Sequence, residues 1–81
     1  MDLFPIFLKI AARPCIVIGA GHLAESKIES LRAAHAKVTV IAPEATARIA
    51  ELAAAGEIEW HPREYVPGDL TGNLLVIAAT N

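Results

Sequence analysis

The stretch Cys15–Lys27, CIVIGAGHLAESK, places two glycines between an apolar run and a segment with helical periodicity. The run Ile16–Ile18 is short and β-branched, which is typical of a strand buried on both faces. From His22 to Ala34, apolar residues recur every three or four positions, as on one face of a helix. Gly19 and Gly21 exclude side chains from the turn between them. The feature therefore predicts a strand, a tight turn and a helix.

The rest of the chain alternates strands and helices in the same way. Lys37–Ala42 is a second β-branched strand. Pro43 predicts the start of a second helix, and Gly56 predicts its stop. Glu57–His61 alternates between polar and apolar residues, as a half-exposed edge strand does, and Leu74–Thr80 predicts a last buried strand.

This order predicts an α/β fold with a Rossmann-like parallel sheet, strand order 3-2-1-4, ending after the fourth strand. A further strand is possible near Ile6–Ile10, and a short helical turn is expected near Asp69. The 81 residues allow one domain at most, residues 1–81. Because 54% of the residues are hydrophobic, a high share for a free-standing small domain, we expect this domain to be a piece of a larger core.

Composition excludes several classes of function. The net charge is −2 with basic and acidic residues interspersed, so nucleic acid is not an expected partner. A single cysteine, Cys15, excludes a disulfide framework, and it is interpreted as a core residue. His22, His35 and His61 lack metal-ligand spacing, so no metal site is assigned. No apolar stretch approaches the ~20 residues of a membrane span, and no basic leader precedes the apolar start, which predicts a cytoplasmic protein.

The glycine turn matches the dinucleotide pattern G-x-G-x-x-A in the strand–helix context that the pattern requires. Gly19 permits the tight turn, Gly21 allows main chain to approach a pyrophosphate, and Ala24 lets the helix pack closely on the strand. The first amides of the helix then face the anion. The pattern predicts a bound dinucleotide; the alternative is a tight turn without a ligand.

Polar residues near the predicted site admit two interpretations each. The acid that usually follows the second strand is absent from Ile41–Pro43, and Glu44 either binds ribose hydroxyls or faces the dipole of the second helix. Arg48 either meets a 2′-phosphate or is a solvated helix residue. Thr80 and Asn81 either face a ligand or cap the last strand.

Two other side chains admit alternatives. Trp60 is interpreted as a core aromatic rather than a nicotinamide platform, because the third strand lies away from the glycine turn. Lys27 is either a solvated charge or a contact for a tetrapyrrole carboxylate.

Four stretches together resemble the N-terminal NAD-binding domain of the siroheme synthase and precorrin-2 dehydrogenase family. They are MDLFPIFLKI, CIVIGAGHLAESK, AKVTVIAP and LLVIAATN, at the expected spacing over nearly all of the chain. Three residues depart from the family pattern: Ala20 replaces a glycine, Ser26 replaces an arginine, and His35 replaces a common glycine.

The resemblance implies NAD-dependent oxidation of precorrin-2 to sirohydrochlorin, with ferrochelatase activity in some members, by a cytoplasmic homodimer. It implies a catalytic aspartate beyond Asn81, so no catalytic residue is assigned here and the 81 residues alone are expected to be inactive. It also implies cofactor contacts from His22, Leu23, Pro43 and Glu44. A dinucleotide-sensing module without catalysis is the alternative, and a fragment that binds nothing is a third. The complete set of candidate cofactor-binding residues is Gly19, Ala20, Gly21, His22, Leu23, Pro43, Glu44, Ala79 and Thr80.

The predicted sheet also suggests self-association. Right-handed crossovers place both helices on one face, while the strands are apolar on both faces. Leaving the second face in water would forgo stabilisation comparable to that of a small domain, at about 25 cal/mol per Å². We therefore expect that the chain is not a stable monomer, and that it pairs this face with a second copy or exchanges elements with it.

Overall fold

The computed structural model describes residues 11–79 of the chain. Its elements alternate as the sequence predicts. In chain order they are β1 (Pro14–Ile18), α1 (His22–Ala33), β2 (Lys37–Ile41), α2 (Ala47–Ala54), β3 (Glu59–His61), a 3₁₀ turn (Pro67–Leu70) and β4 (Leu75–Ala78).

The four strands form one parallel sheet in the order β3-β2-β1-β4, which confirms the predicted α/β fold and its strand order. In register, Val17 of β1 lies between Val40 of β2 and Ile77 of β4. Because all strands run the same way, the carboxyl ends of β1, β2 and β4 meet at one edge of the sheet.

A single apolar cluster joins both helices to one face of the sheet. Ile28 and Leu31 of α1 and Ile49 of α2 are fully buried in the same cluster as Val17 and Val40 of the strands. Their spacing of three residues in α1 gives the helix its inward face. Both helices therefore cover the same face, as the right-handed crossovers predict.

The opposite face of the sheet is buried at its centre and exposed towards β4. Ile16 and Ile41 are only 1% and 2% exposed. Val76 is 39% exposed, and Ala78 beside it is also exposed. The apolar surface left in water on this face is thus narrower than the sequence pattern suggests, and self-association stays a prediction.

The second helix begins later than predicted. The sequence indicated a start at Pro43, but α2 begins at Ala47 after an N-cap at Thr46. The Thr46 side chain accepts a hydrogen bond from the amide of Ile49 at 3.3 Å, which satisfies one of the unpaired amides at the helix start. Residues 42–46 therefore form a loop between β2 and α2.

The last strand is half-exposed rather than buried. β4 alternates between half-buried and exposed residues because within residues 11–79 it pairs only with β1 and lies at the edge of the sheet. The predicted edge strand β3, the core position of Cys15 and the 3₁₀ turn near Asp69 are confirmed. The possible strand at Ile6–Ile10 lies outside the described residues.

The 3₁₀ turn is closed by a clamp on Asp69. Its carboxylate accepts two hydrogen bonds from the Arg63 guanidinium at 2.7 and 2.9 Å and one from the Val66 amide at 2.8 Å. The Arg63 guanidinium, followed by the Val66 amide, lowers the pKa of Asp69 to about 2. The loop before β4 therefore stays clamped at all but strongly acid pH.

Both helices end in the same hydrogen-bonded motif. In α1 the amides of His35 and Ala36 donate to the carbonyls of Arg32 and Leu31, and in α2 the two residues after Ala55 bond in the same way. The residue after each C-cap is left-handed, with φ +64° at His35 and +78° at Gly56. Gly56 is thus the predicted stop, and His35 occupies a position that favours glycine.

Candidate functional site

The glycine turn lies at the edge where three strands end. The amide of Gly19 donates to the carbonyl of Ile41 at 3.0 Å, which ties the turn to the end of β2. The amide of Ala79 donates to the carbonyl of Ile18 at 2.9 Å, which brings the end of β4 to the same place. The structure therefore brings together the candidate residues of the turn, of the β2 end and of the β4 end, except Thr80, which lies outside the described residues.

Gly19 is required by the main chain itself. Its φ is +116°, a conformation that other L residues adopt only with strain. This angle turns the chain out of β1 and towards α1. The predicted role of Gly19 in the tight turn is therefore met by the geometry.

Gly21 has a different reason to be glycine. It is the N-cap of α1 with φ −90° and ψ −164°, an extended conformation open to any residue. No side chain caps the helix there. The first amides of a helix have no partner within it, so α1 presents donors at a start that carries no Cβ. Such a helix start is suited to an anion.

The side chains that follow do not obstruct this helix start. The His22 side chain is 93% exposed, and its Nδ1 lies 3.3 Å from the Glu25 carboxylate one turn later. Leu23 is 43% exposed, which is unusual for a large apolar residue, whereas Ala20 and Ala24 are buried against the core. The small size of Ala24 lets α1 pack closely on the sheet, as the pattern predicts.

A main-chain hydrogen bond joins the glycine turn to the loop after β2. The amide of Thr46 donates to the carbonyl of Ala20 at 3.1 Å. Pro43 and Glu44 lie exposed in this loop. Because α2 starts at Ala47 and has no acid in its first turn, the interpretation of Glu44 as a helix-dipole acid is wrong. Its interpretation as a ribose ligand stays a prediction.

The loop is also held from β3, by contacts that sequence reasoning missed. The indole Nε1–H of Trp60 donates to the carbonyl of Ala42 at 3.0 Å, and the amide of Ala42 donates to the carbonyl of His61 at 3.2 Å. A tryptophan on the inward side of a short edge strand is a signal for such a contact, because a partly buried indole N–H needs an acceptor. The third strand is therefore less remote from the site than the sequence indicated.

Arg48 is directed towards α1. Its Nη2 lies 3.5 Å from the Glu29 carboxylate, and both side chains are about half exposed. Glu29 also contacts Arg32, which reaches Glu57 beyond α2 at 3.2 Å. Arg48 thus belongs to a surface ion-pair network between the helices, and exposed pairs of this kind are worth about 0–1 kcal/mol each.

Within residues 11–79, no group of three or more His, Cys, Asp or Glu side chains could hold a metal ion. In the same range, no helix has the length and the apolar character needed to cross a membrane. Cys15 is fully buried in β1, and this burial raises the pKa of its thiol.

A shallow cleft beside Lys37, Glu57 and Glu59 opens near the amino ends of β2 and β3, at the other end of the sheet.

The arrangement at this edge is suited to binding an anionic ligand. Main-chain donors at the α1 start face the edge where β1, β2 and β4 end, and ligands of open α/β sheets bind at such edges. A dinucleotide laid along this edge would meet these donors at its pyrophosphate and Glu44 beyond the end of β2.

The sequence profile of a family described as "Putative NAD(P)-binding" matches residues 6–81. Siroheme synthase 3 of Aeromonas hydrophila is 47% identical over all 81 residues, and siroheme synthase of Thioalkalivibrio sulfidiphilus is 43% identical over the same length. The chain spans 17% of the length of each of these two proteins. Among solved structures, SirC, a precorrin-2 dehydrogenase, superposes with a TM-score of 0.88 at 28% identity, over 98% of this chain and 40% of that one.

Proposed function

Because this chain belongs to the "Putative NAD(P)-binding" family, we propose that it is the NAD-binding domain of a precorrin-2 dehydrogenase. The names of its relatives, siroheme synthase and precorrin-2 dehydrogenase, support this substrate. The protein would oxidise precorrin-2 to sirohydrochlorin. Residues 1–81 would form one domain of a cytoplasmic homodimer.

The observation that carries the proposal is the start of α1. Gly21 is the N-cap of this helix and offers no side chain to cap it. It follows a turn in which Gly19 has a positive φ that other residues adopt only with strain. The pyrophosphate of NAD would accept hydrogen bonds from main-chain amides there, including those of His22 and Leu23. Gly19, Ala20 and Gly21 would form the wall of the pyrophosphate site.

The ends of the neighbouring strands would hold the two nucleosides of NAD. Pro43 and Glu44 follow β2 and would contact the adenosine ribose, with the Glu44 carboxylate accepting from its hydroxyl groups. Ala79 and Thr80 follow β4 and would line the opposite side of the glycine turn. NAD would supply the hydride acceptor for the oxidation, and the residues of this chain would bind and orient it.

The same geometry favours NAD over NADP. Glu44 would repel a 2′-phosphate, and Arg48, the nearest basic residue along the chain, contacts Glu29 instead. We therefore expect tighter binding of NAD than of NADP.

Isothermal titration of the protein with NAD and NADP tests the proposal. Gly21→Val should abolish NAD binding, because a branched side chain would occupy the pyrophosphate position. Gly68→Val is the matched control, since Gly68 has an ordinary φ and open space around the position of its Cβ. Unchanged affinity in Gly21→Val would contradict the site, and NADP binding as tight as NAD would contradict the role of Glu44.

Dehydrogenation is tested separately, with precorrin-2 and NAD. Turnover by the complete protein that is lost with Gly21→Val would support the enzyme. NAD binding without turnover would favour a sensing module. Sedimentation equilibrium tests the homodimer, and a monomer throughout the micromolar range would contradict it.

A further inference from the structure

We propose that Trp60 is a positioning residue for the cofactor, acting through the main-chain carbonyl of Ala42 on the Pro43–Glu44 segment. This inference rests on the proposed function, because it concerns how the adenosine side of the same site is held. Trp60 lies in β3 and would not touch the cofactor itself.

The contact is well defined. Trp60 pairs with Val40 in the sheet, two residues before Ala42, and its ring is partly buried against the apolar cluster. From there its Nε1–H reaches the carbonyl of Ala42 at 3.0 Å. Ala42 is only 6% exposed, so water could not readily replace the indole as a hydrogen-bond donor to its carbonyl. Loss of the Trp60 contact would therefore leave a buried acceptor unsatisfied, which costs free energy. The hydrogen bond therefore holds the main chain at the exit from β2.

Beyond Ala42, Ala45 packs against the apolar cluster, but main-chain hydrogen bonds among the described residues are sparse. Pro43 has no amide hydrogen and cannot donate to the sheet. Among the described residues, the next main-chain hydrogen bond is the donation from the Thr46 amide to the Ala20 carbonyl, three residues after Pro43. Glu44 thus lies between two anchors, one at Thr46 and one at Ala42, and the anchor at Ala42 is shared by Trp60 and the main chain of His61.

This role is separable from the fold. The pairing of β3 with β2 uses main-chain groups, which a substitution of the side chain leaves in place. Trp60→Phe keeps an aromatic ring in the same place and removes the donor. Ile58→Val is the matched control, because Ile58 is buried near the start of the same strand and removing one methylene group there does not involve Ala42.

The test compares two probes that report on different parts of the site. ADP-ribose would depend on both the Pro43–Glu44 segment and the glycine turn, whereas inorganic pyrophosphate would depend on the glycine turn alone. In Trp60→Phe we expect the Kd for NADH and for ADP-ribose to rise about fivefold, the effect of losing one hydrogen bond. The Kd for pyrophosphate should stay within about twofold, and Ile58→Val should leave all three within about twofold.

The results separate the positioning role from a structural one. Equal weakening of ADP-ribose and pyrophosphate would show a general loosening and overturn the proposal, as would an unchanged Kd for ADP-ribose. If the unsubstituted protein bound neither NADH nor NAD, the proposed function would fail first. If the unsubstituted protein bound NADH and ADP-ribose, and Trp60→Phe bound both with the same Kd, the positioning role alone would be overturned.

A second measurement needs no variant. Trp60 is the single tryptophan, so its indole N–H gives one resonance in a nitrogen-15 correlation spectrum. We expect this resonance to move on saturation with ADP-ribose and to stay in place on saturation with pyrophosphate. A resonance that ADP-ribose leaves unmoved would overturn the proposal even if Trp60→Phe did not fold.

Discussion

The two helices of this domain end in the same way and begin differently. Both close with the same pair of main-chain hydrogen bonds and a left-handed residue. At their starts, Thr46 of α2 accepts a hydrogen bond from the amide of Ile49, whereas Gly21 of α1 offers no side chain. Each start has the same kind of unpaired amides, but only α2 satisfies one of them with its own side chain.

The difference shows that α1 lacks a stabilising side-chain cap that its sequence could have supplied. Serine, asparagine or aspartate at Gly21 would cap the helix at least as well as glycine, and the extended conformation there would accept any of them. The stability of the helix therefore does not explain the glycine. The anion site proposed at the start of α1 would explain the glycine, because it needs space and free amide donors. No ligand is proposed at the start of α2.

The sharpest way to break the comparison is to cap α1. We expect Gly21→Asp to leave the free energy of unfolding unchanged or raised by a few tenths of a kcal/mol. NAD affinity should fall by about 100-fold or more, equivalent to about 2.7 kcal/mol, because the carboxylate takes the amides and repels the pyrophosphate. Thermal unfolding and calorimetric titration measure the two effects. Retained binding, with the helix capped, would mean that the α1 start is not the anion site.

Gly19→Ala should strain the turn and lower the stability of the whole domain, and its effect should not be confined to the ligand site. A φ of +116° is strained for alanine, and we expect a loss of about 1–3 kcal/mol in the free energy of unfolding. Urea denaturation measures this loss. Gly68→Ala serves as the control, with no positive φ and an expected change well below that of Gly19→Ala. Equal stability of the two variants would show that the turn relaxes to an ordinary conformation.

Removing the cap of α2 should affect stability and spare the ligand. Thr46→Ala deletes the bond to Ile49 but keeps the main-chain donation to Ala20. We expect a loss of about 1 kcal/mol in stability by urea denaturation. The Kd for NAD should change less than twofold, about 0.4 kcal/mol. A large loss of NAD affinity would mean that the threonine side chain belongs to the site.

Substitutions at the equivalent C-terminal positions of the two helices should change the free energy of unfolding least. His35→Gly should raise the free energy of unfolding by about 0.5–1 kcal/mol, because glycine adopts the left-handed conformation without strain. Gly56→Ala, at the equivalent position of α2, should lower it by a similar amount. Thermal unfolding of both variants measures the pair. A destabilised His35→Gly would show that the imidazole makes a contact that outweighs the strain.

Sequence patterns reached most of the fold because the deciding signals are local. Runs of β-branched residues identify β1 and β2, three-to-four spacing identifies α1, and alternation identifies β3. The left-handed stop at Gly56 follows from residue type alone. The predicted start of α2 is wrong because it rests on Pro43 alone and does not consider Thr46, the capping residue three positions later. That error carried over to Glu44, whose position depends on where the helix begins.

The contacts around the site were beyond sequence reasoning for another reason. The bond from Trp60 to Ala42 joins residues eighteen positions apart in sequence, and it depends on the register of β3 against β2. The half-exposure of β4 likewise depends on what lies beside it in the sheet, which its apolar composition does not reveal. The site residues themselves follow from the glycine pattern and the family resemblance, and their roles stay predictions.

The hydrogen bond between Thr46 and Ala20 has a kinetic consequence. It ties the loop after β2 to the glycine turn through main-chain atoms of the chain itself, so the two halves of the site lie side by side. A site that needs no loop closure loses little conformational freedom when it is filled, and its association rate is governed by encounter and orientation. We therefore expect NAD to associate in a single concentration-dependent phase in stopped-flow experiments, with no slower step at saturation.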